Sequence, residues 1–426
     1  MAKQQFQSVR GMYDLLPEQT RTIDTVAAAF ATSATNAGYG RIEAPLVEDT
    51  AVFERAVGTE TDVVSKEMYT FTDRSDHSIT LRPEATAGVV RAFIEHGMSS
   101  LPQPVKLYYQ GPMFRYDRPQ AGRQRQFYQY GVEVFGESSP SVDAQVIMLG
   151  MRFFRSIGLK NISLQINSIG DGACRPNYQK ALIEYLNENS KNLGEDDKAR
   201  LKTNPMRVLD SKDAKTQAVV AGAPQFLNFL CDDCQKHFAG VLEYLDSQNI
   251  AYELNPQLVR GLDYYSRTVF EYYGEREGSQ SSLGGGGRYD ALVELLGGNP
   301  TPAVGFALGV ERVLLELEAA EVSVALPASN RVYVASLGEP ARLEAFNLIE
   351  NLLDNNIAAS GAVDRDGIGS QLERANKLGV PYALIIGQKE VQEGKVLLRD
   401  MSSGAQEELK LEAVVAELQQ RFSTTA

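Results

Sequence analysis

The 426-residue sequence has few cysteines, few histidines and no long apolar run, and each of these features argues against a class of protein or site. Its three cysteines are too few for a disulfide framework, which favours a reducing, cytoplasmic location. It has no run of about 18 apolar residues, so we expect no membrane span. The N-terminal stretch MAKQQFQSVRGMYDLLPEQT also lacks the apolar segment of a signal peptide. Three histidines are too few to favour a histidine-rich metal site.

Composition and charge set weaker limits on the class of protein. Hydrophobic residues make up 43% and charged residues 23%, as in soluble globular proteins, and the length predicts two or three domains. The net charge of −13 argues weakly against a nucleic-acid partner. Because a local basic patch binds phosphate even on an acidic protein, the net charge does not decide the partner.

The C-terminal part of the chain is predicted to be a separate domain. Pro327 and Ser329 mark a linker at 323–329. After it, strand and helix patterns alternate, from RVYVASL to an amphipathic terminal helix. The first helix is indicated by apolar residues at helical spacing: Leu343, Phe346, Ile349 and Leu353. This alternation predicts a small α/β domain at 330–426 with a mostly parallel sheet.

The preceding part, 1–322, has a different pattern. In 1–170 and 256–322 the strand signals come in pairs separated by polar loops, which indicates an antiparallel sheet. The stretch 172–255 is richer in helical patterns and interrupts this arrangement. We therefore expect a core domain at 1–322 with a helical insertion at about 172–255.

One predicted strand, RQFYQYGVEVFG at 125–136, has an unusual polar face. Side-chain alternation predicts that the opposite, core-facing side carries Tyr128, Tyr130, Val132 and Val134. The polar face carries Gln129 and Glu133, with Gly131 between them. This face lies either in water or against a polar ligand for which the glycine leaves room. The pattern alone favours water.

The loop before this strand is rich in arginine. Residues 115–125 hold four arginines and one aspartate: Arg115, Arg118, Arg123, Arg125 and Asp117. Guanidinium groups match phosphate oxygens bidentately, so the loop is a candidate phosphate site. The alternative from the pattern alone is a solvated hairpin tip.

The stretch CDDCQKHF at 231–238 raises the question of a metal site. Cys231, Cys234 and His237 have zinc-like spacing, and Cys174 is the remaining cysteine. However, the stretch has a helical pattern, the fourth ligand is distant, and the C-x₂-C pair has no second pair. We therefore favour a helix with packed thiols and predict no metal site.

Several motifs together resemble a known family. GPMFRYDRPQAGRQRQF resembles motif 2 of class II aminoacyl-tRNA synthetases, in the version found in histidyl-tRNA synthetases. The other motifs of that family follow in order: FQSVRGMYDLLP, the motif 1-like YGRIEAPLVEDTAVF, TLRPEATA, LVRGLDYYSRTVFE, SSLGGGGRYD and the motif 3-like AVGFALGVERV. Single motifs are weak, but an ordered set that covers nearly the whole chain is specific.

The resemblance implies a fold and an activity. The fold is an α+β catalytic core of class II synthetase type, with an antiparallel sheet flanked by helices, followed by an α/β anticodon-binding domain. The activity is the activation of histidine with ATP to histidyl-adenylate and pyrophosphate, then transfer of histidine to the 3′ terminal adenosine of tRNA(His). The resemblance also implies Mg²⁺ with ATP, and a homodimer formed through motif 1.

The resemblance further implies roles for individual residues. The catalytic and ATP-binding arginines are Arg115 and Arg260 near the α-phosphate, Arg312 near the γ-phosphate, and Arg123. The tRNA acceptor contacts are Arg118 and Gln120. The histidine-binding residues are Glu84, Ala85, Thr86, Gln129, Glu133, Tyr264, Tyr265, Gly285 and Gly286. We interpret the glycine run as a bare floor beneath the substrate, where a side chain would obstruct substrate more than it unfolds the protein.

Two other functions share parts of this pattern. The regulatory subunit of ATP phosphoribosyltransferase resembles the synthetase core, but usually lacks the anticodon-binding domain. Synthetase-like domains that sense uncharged tRNA belong to much longer chains. Because RGLDYY, the motif 2 arginines and the 330–426 domain are all present, the synthetase is favoured.

Overall fold

The computed structural model describes residues 6–276, 282–322, 324, 331–361 and 367–425. The chain divides into two units, Met1–Ala325 and Leu326–Ala426. The linker predicted at 323–329 lies outside the described residues except for Val324, which packs against the core of the first unit. Every described helix is too short or too polar to cross a membrane.

The strands and helices are numbered separately in chain order. The strands are β1 Gly40–Arg41, β2 Val47–Asp49, β3 Tyr69–Thr72, β4 Ser78–Leu81, β5 Val105–Phe114, β6 Gln126–Phe135, β7 Ser163–Ser168, β8 Glu253–Leu254, β9 Ser266–Tyr273, β10 Ser282–Arg288, β11 Ala303–Gly309, β12 Arg331–Ser336, β13 Ala358–Gly361, β14 Tyr382–Ile386, β15 Lys395–Asp400 and β16 Gln406–Lys410. The helices are α1 Pro17–Asn36, α2 Thr50–Val57, α3 Thr86–Glu95, α4 Pro140–Ser156, α5 Arg175–Glu188, α6 Glu195–Thr203, α7 Ala214–Val220, α8 Asp232–Ser247, α9 Leu292–Leu295, α10 Val310–Ala319, α11 Glu339–Asp354, α12 Ile368–Lys377, α13 Gln388–Glu393 and α14 Val414–Thr425.

The first unit is built on an eight-stranded sheet in the order β1-β5-β6-β11-β10-β9-β7-β8. The six central strands are antiparallel, as predicted from the paired strand signals. The two edge pairs, β1 with β5 and β7 with β8, are parallel. The edge strands β1 and β8 have two residues each, which is too short for a sequence pattern to indicate.

Helices cover both faces of this sheet, as expected for the class II type of core. On one face, α1, α4, α8 and α10 bury residues such as Phe30 and Phe153 against Val132 of β6. On the other, α2, α3, α5 and α9 pack with residues such as Phe93 and Phe135. Consecutive residues of each central strand point to opposite faces, so one strand serves both cores.

The helical stretch predicted at 172–255 follows β7, contains α5 to α8 and includes the short strand β8 at its end. Its last helix, α8, is not peripheral, because Val241 and Leu245 are fully buried in the core that α4 also covers. The residues between α5 and α8 pack on the other face, where Val208 is fully buried.

The second unit has a five-stranded sheet in the order β13-β12-β14-β15-β16. The three strands β13, β12 and β14 are parallel, as the alternating pattern predicted. The pairs β14–β15 and β15–β16 are antiparallel, so the prediction of a mostly parallel sheet was wrong for this half. The last strand, QEELK, is almost entirely exposed and lacks the apolar alternation that marks a strand.

Helix α11 was predicted correctly, but of the four apolar residues that indicated it only Ile349 packs against the core. Leu343 is 67% exposed and Phe346 is 58% exposed. The buried positions are Ala341, Ala345, Leu348 and Leu352. Small alanines let this helix approach the sheet closely, and a hydrophobicity pattern gives them little weight.

Candidate active site

A cavity of about 720 Å³ lies on the second face of the eight-stranded sheet. Its floor comes from β6, β9, β10 and β11, and residues 207–220, which follow α6 and include α7, form part of its wall. The cavity gathers most of the residues singled out in the sequence: Glu84, Thr86, Gln129, Glu133, Tyr264, Tyr265 and Gly285 together with Arg115, Arg123, Arg260 and Arg312.

One end of the cavity is a buried carboxylate pocket. Glu133 is only 1% exposed, and its carboxyl oxygens accept hydrogen bonds from Thr86 Oγ1 at 2.7 Å and from the Tyr289 hydroxyl. Glu84 accepts the backbone N–H groups of Thr86 and Ala87 at the start of α3, at 2.7 and 2.9 Å. The interpretation of this strand face as solvent-exposed was therefore wrong, because α3 and the tyrosines cover it.

Burial raises the pKa of Glu133 to about 8, and the nearby Glu84 acts in the same direction. Hydrogen bonds from Tyr289 and Thr86 only partly offset this effect. Without a bound cation, the Glu133 carboxyl is therefore mostly protonated at pH 7. A bound ammonium group would favour its charged form.

The walls of this pocket are aromatic, and one polar atom has no protein partner. The rings of Tyr264 and Tyr265 lie 4.6 Å apart, and Tyr289 packs against both. Gln129 Oε1 is buried without a hydrogen-bond partner among the described residues. A buried acceptor of this kind is suited to a ligand that donates a hydrogen bond.

The other end of the cavity is lined by an arginine cluster. Burial, together with the neighbouring Arg123 and Arg115, lowers the pKa of Arg312 to about 10. Within the described part of the chain, Arg312 donates to the carbonyls of Ser282 and Gly122 and has no carboxylate partner. Clustered guanidinium groups of this kind are suited to a multiply charged anion.

Arg260 enters the cavity between its two ends. It forms an ion pair with Glu271 of β9 and lies 5.8 Å from the ring centre of Tyr265. Although burial disfavours the charge, Glu271 raises the pKa of Arg260 above its ordinary value. Glu271 was not predicted as a site residue. The sequence feature that could have indicated it is a single carboxylate in the otherwise apolar strand TVFEYYG.

The four arginines of the β5–β6 hairpin have different surroundings. Arg115 and Arg123 line the cavity, and Arg115 Nε donates to the carbonyl of Pro83 at 2.8 Å. Arg125 lies 3.8 Å from the ring centre of Tyr116 and supports the loop. Arg118 and Gln120 are exposed and do not line the cavity. Part of the hairpin therefore lines the cavity, through Arg115 and Arg123, and part of it, including Arg118 and Gln120, is exposed to solvent.

A family profile described as Histidyl-tRNA synthetase matches residues 11–313, which include every cavity-lining residue named above. The chain belongs to the histidyl-tRNA synthetase family. A second profile, described as Anticodon binding domain, matches residues 331–421. The family, the class of enzyme and the fold implied by the motifs are therefore confirmed.

Relatives of the histidyl-tRNA synthetase family match nearly the whole chain. The histidine–tRNA ligase of Desulforamulus reducens is 45% identical over 406 residues, covering 95% of this chain and 97% of the relative. That of Pelotomaculum thermopropionicum is 45% identical over 414 residues, covering 97% of each. The crystal structure of apo S. aureus histidyl-tRNA synthetase superimposes with a TM-score of 0.83 at 37% identity, covering 97% of this chain and 100% of that one.

A fold match alone does not distinguish a histidyl-tRNA synthetase from a regulatory subunit of ATP phosphoribosyltransferase. A Bacillus halodurans structure described as an ATP phosphoribosyltransferase regulatory subunit/histidyl-tRNA synthetase matches with a TM-score of 0.62 at 22% identity, which shows the fold only. The regulatory-subunit alternative is not favoured, because relatives at 45% identity over nearly full length are ligases and the anticodon-binding domain is present.

Two residues that the family motifs placed at the histidine site do not line the cavity. Ala85 is buried in the hydrophobic cluster beneath α3. Gly286 lies opposite Phe306, on the core face of the sheet. A Cβ at Gly286 would lie 2.0 Å from the carbonyl oxygen of Gly305. At this position the glycine is needed for close strand packing. The neighbouring Gly285 does line the cavity, but a Cβ there would also clash with the carbonyl oxygen of Phe270, so close strand packing requires a glycine at that position too. The interpretation of the glycine run as a bare floor stays a prediction for Gly285.

Gly286→Ala is therefore expected to lower the free energy of unfolding by about 1–3 kcal/mol, because the sheet must shift to admit the methyl group. Urea denaturation followed by circular dichroism measures this. Gly40→Ala in β1 of the same sheet is the matched control, since a Cβ there would lie 3.9 Å from the Lys106 carbonyl oxygen, the nearest described atom beyond the adjoining residues. A Gly286→Ala variant with wild-type stability and a raised KM for histidine would restore the bare-floor interpretation.

Proposed function

We propose that this chain ligates histidine to tRNA(His) in two steps. A histidine carboxylate oxygen attacks the α-phosphorus of ATP and pyrophosphate leaves, which gives histidyl-adenylate. A hydroxyl of the 3′ terminal adenosine then attacks the activated carbonyl, and AMP leaves. The observation that carries the proposal is one cavity with a buried carboxylate pocket for an amino acid beside an arginine cluster for a triphosphate.

The site needs no serine, cysteine or histidine nucleophile, because the substrate carboxylate is itself the nucleophile. Its role is to position the reactants and to offset phosphate charge. Glu84 and Glu133 hold the ammonium and imidazole donors, while Gln129 offers its free acceptor. Arg115 and Arg260 bind the α-phosphate. The γ-phosphate and the nucleotide are bound by Arg312 and Arg123.

Mg²⁺ accompanies ATP in this proposal and supplies further positive charge for the phosphates. Glu271 and Glu311 line the cavity near the arginine cluster and are the carboxylates that would hold it. A cation held by phosphates and one or two carboxylates is the usual arrangement for Mg²⁺ with nucleotides.

The tRNA partner has two sites in this proposal. Arg118 and Gln120, exposed on the β5–β6 hairpin, contact its acceptor end, and residues 331–421 bind its anticodon. We also propose a homodimer formed through the motif 1-like segment 39–53, and a cytoplasmic location. The three unpaired cysteines agree with a reducing compartment.

Histidine-dependent pyrophosphate–ATP exchange tests the first step, and aminoacylation of tRNA(His) tests the second. We expect both activities in the purified chain. Folded protein that binds histidine without catalysing exchange would overturn the proposal in favour of a histidine-binding regulatory subunit.

Glu133→Gln is expected to raise the KM for histidine by about 10-fold to 100-fold at pH 8, because the isosteric amide cannot pair with a cation. Since the pKa of Glu133 is about 8 in the free pocket, histidine must displace a proton at lower pH. The wild-type KM should therefore fall as pH rises from about 6.5 to 8.5, by at most about tenfold per unit.

The Gln variant is also the control for histidine's own ring titration, which affects both proteins equally. The ratio of the variant KM to the wild-type KM should thus grow with pH over this range. Parallel pH profiles would mean that Glu133 does not change its protonation on binding.

A further inference from the structure

The three cysteines of the chain meet at one point, although they come from separate segments. Cys174 lies in the turn between β7 and α5, while Cys231 and Cys234 lie at the start of α8. Asp171 joins them, and one ligand atom from each of the four residues lies within 4.8 Å of the other three. The candidate active site uses none of these residues.

Two of the donor-atom distances match those of a tetrahedral zinc site. Zn–S bonds of about 2.3 Å and a Zn–O bond of about 2.0 Å at tetrahedral angles separate two sulfurs by about 3.8 Å, and a sulfur from an oxygen by about 3.5 Å. Cys174 Sγ lies 3.8 Å from Cys234 Sγ and 3.6 Å from Asp171 Oδ1. We propose that Asp171, Cys174, Cys231 and Cys234 bind one zinc ion as a structural site.

From the sequence, a metal site was rejected partly because the C-x₂-C pair has no second C-x₂-C pair. With Asp171 as a ligand, the second pair is Asp171-x₂-Cys174, in which a carboxylate replaces one thiolate. His237 is not the fourth ligand, because its Nε2 lies 3.3 Å from Asp143 Oδ1. Three soft thiolates select zinc over the hard cations Mg²⁺ and Ca²⁺.

Neighbouring groups orient the ligands. Arg267 donates to Asp171 Oδ2 at 3.2 Å, which leaves Oδ1 toward the sulfurs. The backbone N–H of Asp171 donates to Cys174 Sγ at 3.3 Å. Hydrogen bonds of this kind to ligating atoms are typical of structural metal sites. Cys174 and Cys234 are almost completely buried, which protects a metal–thiolate site from solvent.

The four proposed ligands lie where the helical insertion begins and where it ends. The segment 175–230 leaves the sheet beside Cys174 and returns at Cys231, so one ion would tie both of its ends together. This segment supplies cavity-lining residues, including Arg207 and Lys212. Arg175, the residue after Cys174, donates to the carbonyl of Tyr265 at 2.6 Å. Zinc therefore holds the insertion wall against the histidine end of the cavity.

The test measures metal in the full-length protein purified under reducing conditions without chelator. Elemental analysis should find about one zinc per chain, because four ligands complete one tetrahedral site. Cys231→Ser and Cys234→Ser should each reduce the zinc content at least several-fold. His237→Gln, one helical turn beyond Cys234, is the control and should retain the metal. If it loses zinc as completely as Cys234→Ser, the assignment of Asp171 is overturned.

Wild-type protein provides a second readout that does not depend on the folding of variants. After chelation, titration with Co²⁺ should produce thiolate-to-cobalt charge-transfer absorption that saturates at about one ion per chain. The partly exposed Cys231 thiol should react with a thiol reagent quickly in the chelated protein and slowly in the zinc form. Zinc-free protein that also fails to bind Co²⁺ would overturn the proposal. A Cys174–Cys234 disulfide in the intact mass of non-reduced, freshly purified protein would overturn it as well.

Discussion

Arg260→Ala is expected to lower the rate of histidine-dependent pyrophosphate–ATP exchange by about 10²–10³-fold, with little change in the KM for ATP. In the proposed reaction, Arg260 acts on charge that develops on the α-phosphate as the carboxylate attacks. Its guanidinium is held in the cavity by Glu271 and by the Tyr265 ring, so it needs no reorganisation during the reaction. Steady-state exchange kinetics with ATP and histidine varied separately measure the effect.

Two further variants define what Arg260 contributes. Arg118→Ala should leave exchange unchanged, because Arg118 is exposed and outside the cavity. Removing Arg260 alone also leaves Glu271 unpaired where phosphates bind. The double variant Arg260→Ala/Glu271→Gln separates the two effects when it is assayed at saturating Mg²⁺, because Glu271 is also a proposed Mg²⁺ ligand. If it recovers most of the lost rate, Arg260 serves mainly to neutralise Glu271, and its proposed transition-state role is wrong. Wild-type kcat in Arg260→Ala would contradict the role directly.

Arg288→Met is expected to lower the free energy of unfolding by about 3–5 kcal/mol. Arg288 ends the glycine-rich strand β10, and its side chain is completely buried. Its guanidinium pairs with the fully buried Asp143 of α4 and with Asp290, and it also donates to the Glu137 carbonyl at 3.1 Å. Without Arg288, Asp143 would be a buried carboxylate with only His237 beside it. Urea denaturation followed by circular dichroism is the measurement.

Arg155→Met is the matched control, because Arg155 is exposed on α4, the helix that carries Asp143. Its loss should change stability by less than about 1 kcal/mol. Replacing both partners of the buried pair, with Asp143→Leu and Arg288→Met, should recover much of the loss, since the remaining partner, Asp290, is partly exposed and no fully buried carboxylate is left without its arginine. An Arg288→Met variant as stable as Arg155→Met would show that the pair does not hold β10 to α4.

Local patterns predicted the antiparallel arrangement of the core and the two faces of its strand β6. Alternation along β6 correctly placed Val132 in one core and Gln129 and Glu133 on the other face. In β9 the same rule sets Phe270 apart from Glu271. These assignments succeed because side-chain direction in a strand depends only on the position along the strand. Strands β15 and β16 and the buried face of α11 were missed. Strand β16 is almost entirely exposed, and the buried face of α11 combines Leu348 and Leu352 with two alanines, to which hydrophobicity patterns give little weight.

The sequence by itself determined the family, the arginine set and the order of the motifs, because these depend on residue identity and spacing along the chain. Only the tertiary structure decided that Glu133 is buried rather than in water, since alternation does not say what covers a face. It also decided that Arg260 pairs with Glu271, that Gly286 faces the core, and that Asp171 rather than His237 joins the cysteines. Each of these depends on distances between residues far apart in the chain, and packing sets such distances, not local pattern.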